Sequence, residues 1–565
     1  MVNKQFMIID GMPVEIQGES NLLELIRKVG IKMPTFCYHS ELSVYGACRM
    51  CMVEDERGML MAACSTQPKP GMKIRTNTER LRRYRKNILE LLLANHCRDC
   101  TTCSNNGSCK LQDLARRFNI DGVRFPNTSP VPRMDTSSLS IVRDAAKCIL
   151  CGDCVRVCNE VQNVGAIDFV NRGSKMLVTT AFDMPIAKSP CVGCGQCAAV
   201  CPTGAIVVRE DIGRVWEALE APDTKVTVQV APAVRVALGK ELNIGEGENA
   251  MGKIVAALHR MGFDDVFDTT TGADLTVLEE SEEFLDRVAK GGKLPLFTSC
   301  CPAWIQYAEK NYPELLPNIS SCKSPMEMFA AVIKEQGKYS SRKQFHVAVM
   351  PCTAKKFEAA REEFQVDGKP YVDAVITSQE LIRMIKESGI VFDELMPEAV
   401  DVPFSGASGA GVIFGVTGGV TEAVLRRVSS DKSRAGLLSI SYSGVRGMEG
   451  VKETTVRYGD MDVRIAVVSG LRNASNLIAK IQSGEATYHL VEVMACPGGC
   501  VAGGGQPFGS SLMKEKRAEG LYMSDGVSSI KRSEENQVVT ALYQGLLKGK
   551  VHELLHVDYV KGEAK

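Results

Sequence analysis

The sequence predicts an α/β domain with parallel or mixed β-sheets over residues 211–565, preceded by small cysteine-rich α+β domains. Three short apolar segments, 293–297, 345–350 and 490–494, have the composition of buried strands, and cysteine follows each of them closely. Because open α/β sheets bind ligands at the carboxyl ends of their strands, these cysteines predict one shared site. A single buried cysteine is often an inert core residue, but three at equivalent positions favour binding.

Composition narrows the class of protein. The chain has 565 residues, no net charge and 22 cysteines, of which sixteen precede residue 202 and six follow residue 299. A long chain without a recognisable export signal favours metal-binding thiolates over a disulfide scaffold. Zero net charge suggests no nucleic-acid partner, and no apolar run approaches the ~18 residues of a membrane span. We therefore expect a cytoplasmic protein of several domains.

Residues 1–78 form the first predicted domain. Segments 6–11 and 13–16 predict a hairpin, and 21–29 predicts an amphipathic helix. Four cysteines spaced C-x10-C-x2-C-x12-C are enough for a [2Fe–2S] cluster, although zinc also takes four cysteines: Cys37, Cys48, Cys51 and Cys64. The pattern resembles the β-grasp ferredoxin domain at the front of the large electron-input subunit of respiratory complex I. That resemblance implies [2Fe–2S].

Residues 79–135 form the second predicted domain. A basic amphipathic helix over 79–95 precedes His96, Cys97, Cys100, Cys103 and Cys109. Spacing alone favours the four cysteines as ligands of one cluster. The pattern H-x3-C-x2-C-x5-C resembles the His–Cys₃ [4Fe–4S] motif that lies beside the same ferredoxin domain, which implies His96 as ligand and Cys97 as spare.

Residues 136–210 form the third predicted domain, with two copies of C-x2-C-x2-C-x3-C. This is the run of two-cluster ferredoxins, in which the fourth cysteine of each copy binds the other cluster. One [4Fe–4S] cluster is expected on Cys148, Cys151, Cys154 and Cys201. The other is expected on Cys191, Cys194, Cys197 and Cys158. Tandem copies with this spacing make zinc a poor alternative.

Residues 211–565 form the large domain. Strands are predicted at 225–230, 373–376 and 463–468 besides the three that precede cysteine, and helices at 251–261, 275–290 and 378–388. The glycine-rich segment 405–421 lacks a phosphate-loop motif and is expected to pack closely around a bound group. Residues 536–559 have helical periodicity and predict a C-terminal belt.

Three motifs of this domain, TSCCPAW (298–304), MPCTAK (350–355) and EVMACPGGCVAGGGQP (492–507), resemble the signatures of the [FeFe]-hydrogenases. The whole chain is most similar to catalytic subunits of NAD(P)-linked or electron-bifurcating complexes, and also resembles monomeric ferredoxin-linked enzymes. The resemblance implies reversible oxidation of H₂ to two protons and two electrons. Its cofactor would be an H-cluster, a [4Fe–4S] cubane joined to a di-iron unit that carries CO, cyanide and an azadithiolate.

The same resemblance implies roles for individual residues. Cys301, Cys352, Cys496 and Cys500 would hold the cubane, with Cys500 as the bridge to the di-iron unit. Protons would pass along Cys300, Glu280, Ser320, Glu283 and Arg287. Glu280, Glu283 and Arg287 share one helix face, which is also a common solvated arrangement. Cyanide and pocket contacts would come from Lys355, Pro232, Ser324, Pro325, Met350, Phe414 and Met494.

Two positions depart from the family pattern: Cys322 stands where many members have Ala, and Met326 where many have Gln. Neither is an expected ligand. Expected partners are ferredoxin or flavin- and NAD(P)-binding subunits, because no dinucleotide motif is visible, and maturation proteins for the di-iron unit. A non-catalytic electron-transfer subunit and a sensory or assembly relative are the alternative functions; the first does not need the three signatures.

Overall fold

The computed structural model describes residues 4–128, 134–458 and 461–559. The chain divides into two compact units. The first comprises Met1–Val161, Gly165–Ser189 and Val200–Val207, and the second comprises Gln162–Val164, Pro190–Ala199 and Val208–Lys565. No helix among the described residues combines the length and apolarity needed to cross a membrane.

The first unit begins with a small mixed sheet against one helix. Its strands pair in the order β2-β1-β5-β3-β4, with β1 parallel to β5 and the other pairs antiparallel. Asn21, the first residue of the predicted helix, lies just outside it and caps it by accepting from the Glu24 amide. This is the β-grasp fold that was expected. The elements are β1 (Gln5–Ile9), β2 (Met12–Ile16), α1 (Leu22–Lys28), β3 (Met52–Asp55), β4 (Leu60–Ala62) and β5 (Lys73–Arg75).

The rest of the first unit has little regular structure, because cysteine-bearing loops occupy much of it. A long helix agrees with the prediction for 79–95, and two small sheets follow, in the orders β10-β7-β6 and β8-β9. The elements are α2 (Glu79–Ala94), α3 (Lys110–Arg117), β6 (Met134–Asp135), β7 (Ile141–Asp144), α4 (Asp153–Arg156), β8 (Asp168–Val170), β9 (Leu177–Thr179) and β10 (Ile206–Val208).

The second unit is an α/β structure with two four-stranded sheets. One sheet is parallel throughout, in the order β12-β11-β14-β17, and the other is mixed, in the order β13-β20-β19-β18 with only β18 antiparallel. Its strands are β11 (Thr224–Val230), β12 (Asp265–Asp268), β13 (Leu296–Phe297), β14 (Lys343–Met350), β15 (Gln365–Val366), β16 (Lys369–Pro370), β17 (Ala374–Thr377), β18 (Val451–Tyr458), β19 (Met461–Ser469) and β20 (Leu490–Met494).

Helices flank both sheets, so the central strands are buried on both faces. The helices are α5 (Gln196–Ala199), α6 (Ile212–Glu220), α7 (Met251–Arg260), α8 (Thr270–Lys290), α9 (Pro302–Asn311), α10 (Pro325–Gln336), α11 (Ala354–Glu358), α12 (Ser378–Glu387), α13 (Gly409–Val412), α14 (Gly419–Val428), α15 (Arg434–Ile440), α16 (Leu471–Gln482), α17 (Ser511–Val527), α18 (Gln537–Gln544) and α19 (Val551–Leu555).

Three sequence-based expectations need correction. The strand expected at 293–297 is only Leu296–Phe297, because Pro295 has no amide proton for a sheet hydrogen bond. The helical region 536–559 is two short helices separated by a segment that contains Gly545 and Gly549, and α17 was not predicted. The glycines of 405–421 mainly allow other segments of the chain, and not a bound group, to pack closely. For example, a Cβ on Gly411 would lie 2.5 Å from Thr270 Cγ2.

Candidate active site and cluster sites

A cavity of about 80 Å³ lies where β11, β13, β14 and β20 end in the second unit. Its wall is almost entirely apolar apart from cysteine sulfur and one ammonium group. The lining includes Ala231, Pro232, Ala233, Thr269, Cys300, Cys301, Pro325, Met326, Met350, Cys352, Lys355, Phe414, Gly415, Met494, Cys496 and Cys500. The strand ends therefore do converge on one site, as the positions of the cysteines predicted.

Strand pairing brings the cysteines together. Leu296 pairs with Leu490 and Phe297 with Val491, so the chain leaving β13 passes beside the chain leaving β20. The Ala495 amide donates to Cys301 Sγ at 3.4 Å. The cysteines that follow these two strands are therefore held at the same end of the sheet.

Glycine allows Cys500 to return to the cavity after Cys496. Gly499 has φ +90°, and a Cβ there would lie 2.6 Å from the Thr417 amide nitrogen. A side chain on Gly503 would collide with the Pro351 carbonyl oxygen. The glycine run in this motif is therefore needed for close approach of backbone segments.

Burial disfavours the thiolate form of every cysteine at this cavity. It raises the pKa of Cys301, Cys496 and Cys500, and raises that of Cys352 to about 11, against a smaller opposing effect of the Lys355 ammonium group. Thiolates in such a setting need a cationic partner, and iron supplies one. Four thiols that converge on one apolar cavity thus fit a cluster bound by thiolate.

Two polar groups near the cavity fit ligands that accept hydrogen bonds. Ser324 precedes α10 but its fully buried hydroxyl neither caps the helix nor meets any other partner among the described residues. Lys355 Nζ contacts Glu358 Oε2 at 2.6 Å. Burial by itself would lower the pKa of Lys355, but the Glu358 carboxylate raises it, so the ammonium group stays charged in an apolar wall.

A line of polar groups extends from Cys300 along α8. The Glu280 carboxyl is fully buried and makes no close hydrogen bond within the described chain, and burial, followed by the charge of Glu283, raises its pKa to about 8. Burial and the neighbouring Glu280 raise the pKa of the Cys300 thiol. Ser320 Oγ donates to Glu283 Oε2 at 2.8 Å, and Arg287 Nη2 lies 2.5 Å from Glu283 Oε1. The structure thus joins Ser320, Glu283 and Arg287 by hydrogen bonds and places Cys300 and Glu280 near enough to affect each other electrostatically.

In the first unit, backbone amides donate to the sulfurs of the first cysteine set. Phe36 N lies 3.4 Å from Cys48 Sγ, and Cys48 N lies 3.3 Å from Cys37 Sγ. Such N–H···S contacts tune iron–sulfur clusters. The thiols interact in two pairs, Cys37 with Cys48 and Cys51 with Cys64. Two pairs fit a cluster of two irons, each of which takes two thiolates.

Other cysteines of the first unit also surround a cavity. Cys148, Cys151, Cys154 and Cys201 line a second cavity of about 20 Å³, and the Leu150 amide donates to Cys148 Sγ. Burial raises the pKa of Cys148 to about 11. The remaining members of the tandem motif are divided between the units: Cys158 belongs to the first, whereas Cys191, Cys194 and Cys197 belong to the second. Their assignment to one cluster stays a prediction.

His96 has a buried ring nitrogen without a partner among the described residues. The Arg98 amide donates to Nδ1 at 3.1 Å, whereas Nε2 makes no hydrogen bond there. Burial lowers the pKa of His96, which keeps the ring neutral as a metal ligand must be. Cys100, Cys103 and Cys109 follow on the adjoining loop, and a Cβ on Gly204 would lie 2.8 Å from Cys103 Sγ. Within the described ranges, no group of three His, Cys, Asp or Glu has the spacing for a single metal ion.

Sequence reasoning missed several residues that support these sites. Gln196 Nε2 donates to Cys496 Sγ at 3.1 Å across 300 positions of sequence, and no local signal could have revealed that contact. Glu358 stands one helical turn after Lys355, so its pairing could have been found from the i,i+3 spacing. Glu327 is fully buried beside this pair and was also overlooked.

The fold and these sites define an iron–sulfur oxidoreductase with a buried active centre bound by thiolates. Family models agree along the chain: a 2Fe-2S iron-sulfur cluster binding domain over 6–79, an iron-sulfur binding region of NADH-ubiquinone oxidoreductase-G over 85–124, and a 4Fe-4S dicluster domain over 147–205. The C-terminal domain of the iron only hydrogenase large subunit matches 224–504, and the iron hydrogenase small subunit matches 512–562.

Whole-length relatives support the same class. The chain is 43% identical to the NADP-reducing hydrogenase subunit HndD of Solidesulfovibrio fructosivorans, over 98% of both chains. It is 37% identical to iron hydrogenase 1 of Clostridium pasteurianum, over 98% of this chain and 99% of that one. A solved structure of a variant of the [FeFe]-hydrogenase HydA1 from Chlamydomonas reinhardtii matches with a TM-score of 0.54 and 40% identity, over 62% of this chain and 99% of that one.

The chain therefore belongs to the [FeFe]-hydrogenases. It catalyses the interconversion of H₂ with protons and electrons, and its cofactors are iron–sulfur clusters of the [2Fe–2S] and [4Fe–4S] kinds and an H-cluster. The expected class of enzyme and the expected fold are confirmed.

Proposed function

We propose that Cys301, Cys352, Cys496 and Cys500 hold the cubane of the H-cluster and that Cys500 is the thiolate shared with the di-iron unit. The observation that carries this assignment is the convergence of these four thiols, Cys496 buried and the other three half-buried, on one apolar cavity where strands of both sheets end. When bound, the iron–sulfur groups supply the hydrogen chemistry and the one-electron steps. The chain supplies orientation, exclusion of water, and proton transfer.

Several side chains are suited to hold the di-iron unit in place. The hydroxyl of Ser324 and the ammonium group of Lys355 are donors for cyanide, which accepts hydrogen bonds. Met350, Met494 and Phe414 are apolar walls of the cavity. Pro232 and Pro325 stand at chain turns that line it and bring backbone close to the bound group. Water has little access to these groups, because all of them except the half-buried Pro325 are buried.

Cys300 begins the proposed proton path. Its thiol passes a proton to or from the buried Glu280 carboxyl, which is protonated at neutral pH because its pKa is raised to about 8. Ser320 is the next member, because its hydroxyl donates to Glu283 and lowers the pKa of the nearby Glu280. The carboxyl group of Glu283 lies within reach of Arg287 and of partly exposed surface.

The accessory clusters follow the cysteine sets. One [2Fe–2S] cluster is assigned to the first set, with Cys37 and Cys48 on one iron and Cys51 and Cys64 on the other. Three [4Fe–4S] clusters are assigned to His96 with its three cysteines and to the two crossed sets of the tandem motif. We assign the corresponding domains to residues 1–78, 79–135, 136–210 and 211–565.

Electrons leave through a partner that binds NAD(P). Two similarities support this: a hydrogenase subunit named as NADP-reducing is similar to this chain over its whole length, and an iron–sulfur region of NADH-ubiquinone oxidoreductase matches 85–124. The sequence of this chain has no dinucleotide-binding motif, so a separate flavin- and NAD(P)-binding subunit would accept the electrons; ferredoxin is the alternative acceptor.

The test is a Cys300→Ser variant of the matured chain. Serine keeps the size of the side chain but transfers protons poorly at this position, since its hydroxyl is a much weaker acid than the thiol. We expect intact CO and cyanide infrared bands and a loss of H₂ uptake with viologen of roughly 10²-fold or more. Cys322→Ser is the control for a cysteine-to-serine change, because Cys322 is more deeply buried than Cys300 and is not itself a member of the proposed path. Near-normal uptake by Cys300→Ser would remove Cys300 from the path.

A further inference from the structure

Glu283 has a second set of hydrogen-bond partners outside the proposed path. Besides Ser320, the Glu283 carboxylate accepts from the Ser321 amide at 3.0 Å and from the Ser321 hydroxyl at 3.2 Å. The same hydroxyl lies 2.9 Å from His556 Nδ1, a ring that comes from the end of α19. Glu283 is thus connected by one hydroxyl to an imidazole more than two hundred residues away in sequence.

Arg287, the other neighbour of Glu283, is poorly suited to release a proton. Its guanidinium donates to the carbonyl oxygens of Pro317 and Ile319, at 3.1 and 3.0 Å, in addition to its pair with Glu283. An arginine side chain is not deprotonated in proteins, so it can orient Glu283 and balance its charge but cannot carry the proton away. Imidazole, in contrast, gains and loses a proton in the physiological pH range.

The surroundings of His556 prepare its ring to receive a proton from Ser321. Glu279 Oε2 lies 2.9 Å from His556 Nε2, so the carboxylate holds the ring in the tautomer with Nε2–H and leaves Nδ1 as an acceptor. Tyr543 donates to the other oxygen of Glu279. His552 stacks on His556 with a centroid distance of 5.2 Å and is exposed to solvent.

The titratable groups near His556 come from several elements. Glu279 and Glu283 come from α8, Tyr543 from α18, and His552 from α19 itself. The segment that follows Ser320 contributes the Ser321 hydroxyl and a backbone bridge at Cys322. Both His556 and Glu279 are partly exposed, at 12% and 11% of their side-chain surface.

We propose that Ser321 and His556 form a route by which Glu283 exchanges protons with solvent. This inference rests on the proposed path from Cys300 to Glu283. In the outward direction the carboxyl proton of Glu283 moves to Ser321 Oγ while the hydroxyl proton of Ser321 moves to His556 Nδ1. One O–H bond of Glu283 is broken and one N–H bond is formed, and the imidazolium then releases its Nε2 proton to Glu279 or to water. The inward direction reverses each transfer.

The test combines variants of the holoenzyme. The surface beside Arg287 is a second exit for protons, so Arg287→Gln and His556→Gln should each leave part of the turnover. The double variant blocks both exits and should lose at least about tenfold more turnover than the product of the two single effects. Ser321→Ala should have the same effect on turnover as His556→Gln, alone and combined with Arg287→Gln, because it removes the hydroxyl of the branch through Ser321 and His556. Ser321→Thr keeps that hydroxyl and should keep the turnover. His259→Gln is the control for loss of a histidine, because His259 pairs with Glu398 and Asp401 instead.

A second readout is chemical rescue. The branch predicts that external imidazole raises the turnover of a His556→Ala variant toward that of the wild type, which a purely structural role of the ring would not produce. A double variant that shows only the product of the single effects, with no rescue by imidazole, would overturn the branch. If Glu283→Gln also left turnover unchanged, the proposed path itself would have failed; loss in Glu283→Gln alone would confine the failure to the branch.

Discussion

The most specific prediction concerns Glu280. Its carboxyl is completely buried, and neither oxygen makes a close hydrogen bond to the described residues. Burial is the main cause and the nearby Glu283 charge the second cause of a pKa raised to about 8, from an ordinary value of 4.5. A carboxyl group in this setting is a proton carrier for neutral pH.

The raised pKa decides how easily Glu280 changes its charge. At pH 7 roughly one carboxyl in ten is ionised, and ionising the rest costs about 1.4 kcal/mol. With an ordinary pKa, protonation at pH 7 would cost about 3.4 kcal/mol. Both states of Glu280 are therefore accessible during turnover, which a proton path requires of each member.

Glu280→Gln removes the acid and keeps the shape of the side chain. We expect turnover to fall by about 10²- to 10⁴-fold, the usual contribution of a positioned proton-transfer group. In the wild type, infrared spectroscopy should detect a protonated carboxyl band that disappears as the pH rises through about 8, and that band should be absent from the variant. Glu280→Asp, which keeps an acid at a shorter reach, should retain more turnover.

The raised pKa of Glu280 also predicts how the stability of the fold changes with pH. The native chain holds this proton up to about pH 8, whereas the unfolded chain loses it near 4.5, so the native state binds more protons between those values. The wild type should therefore lose melting temperature relative to Glu280→Gln as the pH rises from about 5 to about 8. A carboxyl band that titrates near 4.5, or wild-type turnover in Glu280→Gln, would refute the reasoning.

Three further outcomes are expected. Cys322→Ala should cost about 1 kcal/mol of stability and leave H₂ uptake unchanged, since the thiol is buried but not a ligand; a large loss of uptake would give it a role. His96→Ala should remove one [4Fe–4S] signal from the electron paramagnetic resonance spectrum whereas Cys97→Ala keeps it, and the reverse result would exchange the two assignments. Glu358→Gln should lower the melting temperature, because breaking a buried ion pair costs about 3–5 kcal/mol, and should shift the cyanide infrared bands as Lys355 reorients; unshifted bands would contradict a cyanide contact.

Much of the architecture could be predicted because it depends on patterns of residues that are close together in the sequence. Apolar runs followed by cysteine predicted the ends of β14 and β20, and the amphipathic pattern of 21–29 predicted α1. The predicted strand before Cys300 was too long, although Pro295, which has no amide proton, already indicated a shorter one. The glycines of 405–421 could not be interpreted from sequence, since several of their partners lie on α8 and α17, far away along the chain.

The proton path shows a similar limit. The helical spacing of Glu280, Glu283 and Arg287 is visible in the sequence, but the same spacing is common on solvated helices. What distinguishes them is tertiary: complete burial of Glu280 and a hydroxyl from Ser320 on Glu283. His556 carries no sequence signal at all, because its contacts are made by a different segment.

The most direct test of the account is infrared spectroscopy together with H₂ uptake on the matured chain and on a Cys352→Ala variant. The account predicts CO and cyanide bands and viologen reduction by H₂ in the wild type, and loss of both in Cys352→Ala, whose thiol lines the cavity. If the wild type showed neither bands nor uptake after maturation that activates another [FeFe]-hydrogenase, or if Cys352→Ala kept both, the proposed cluster site would be contradicted.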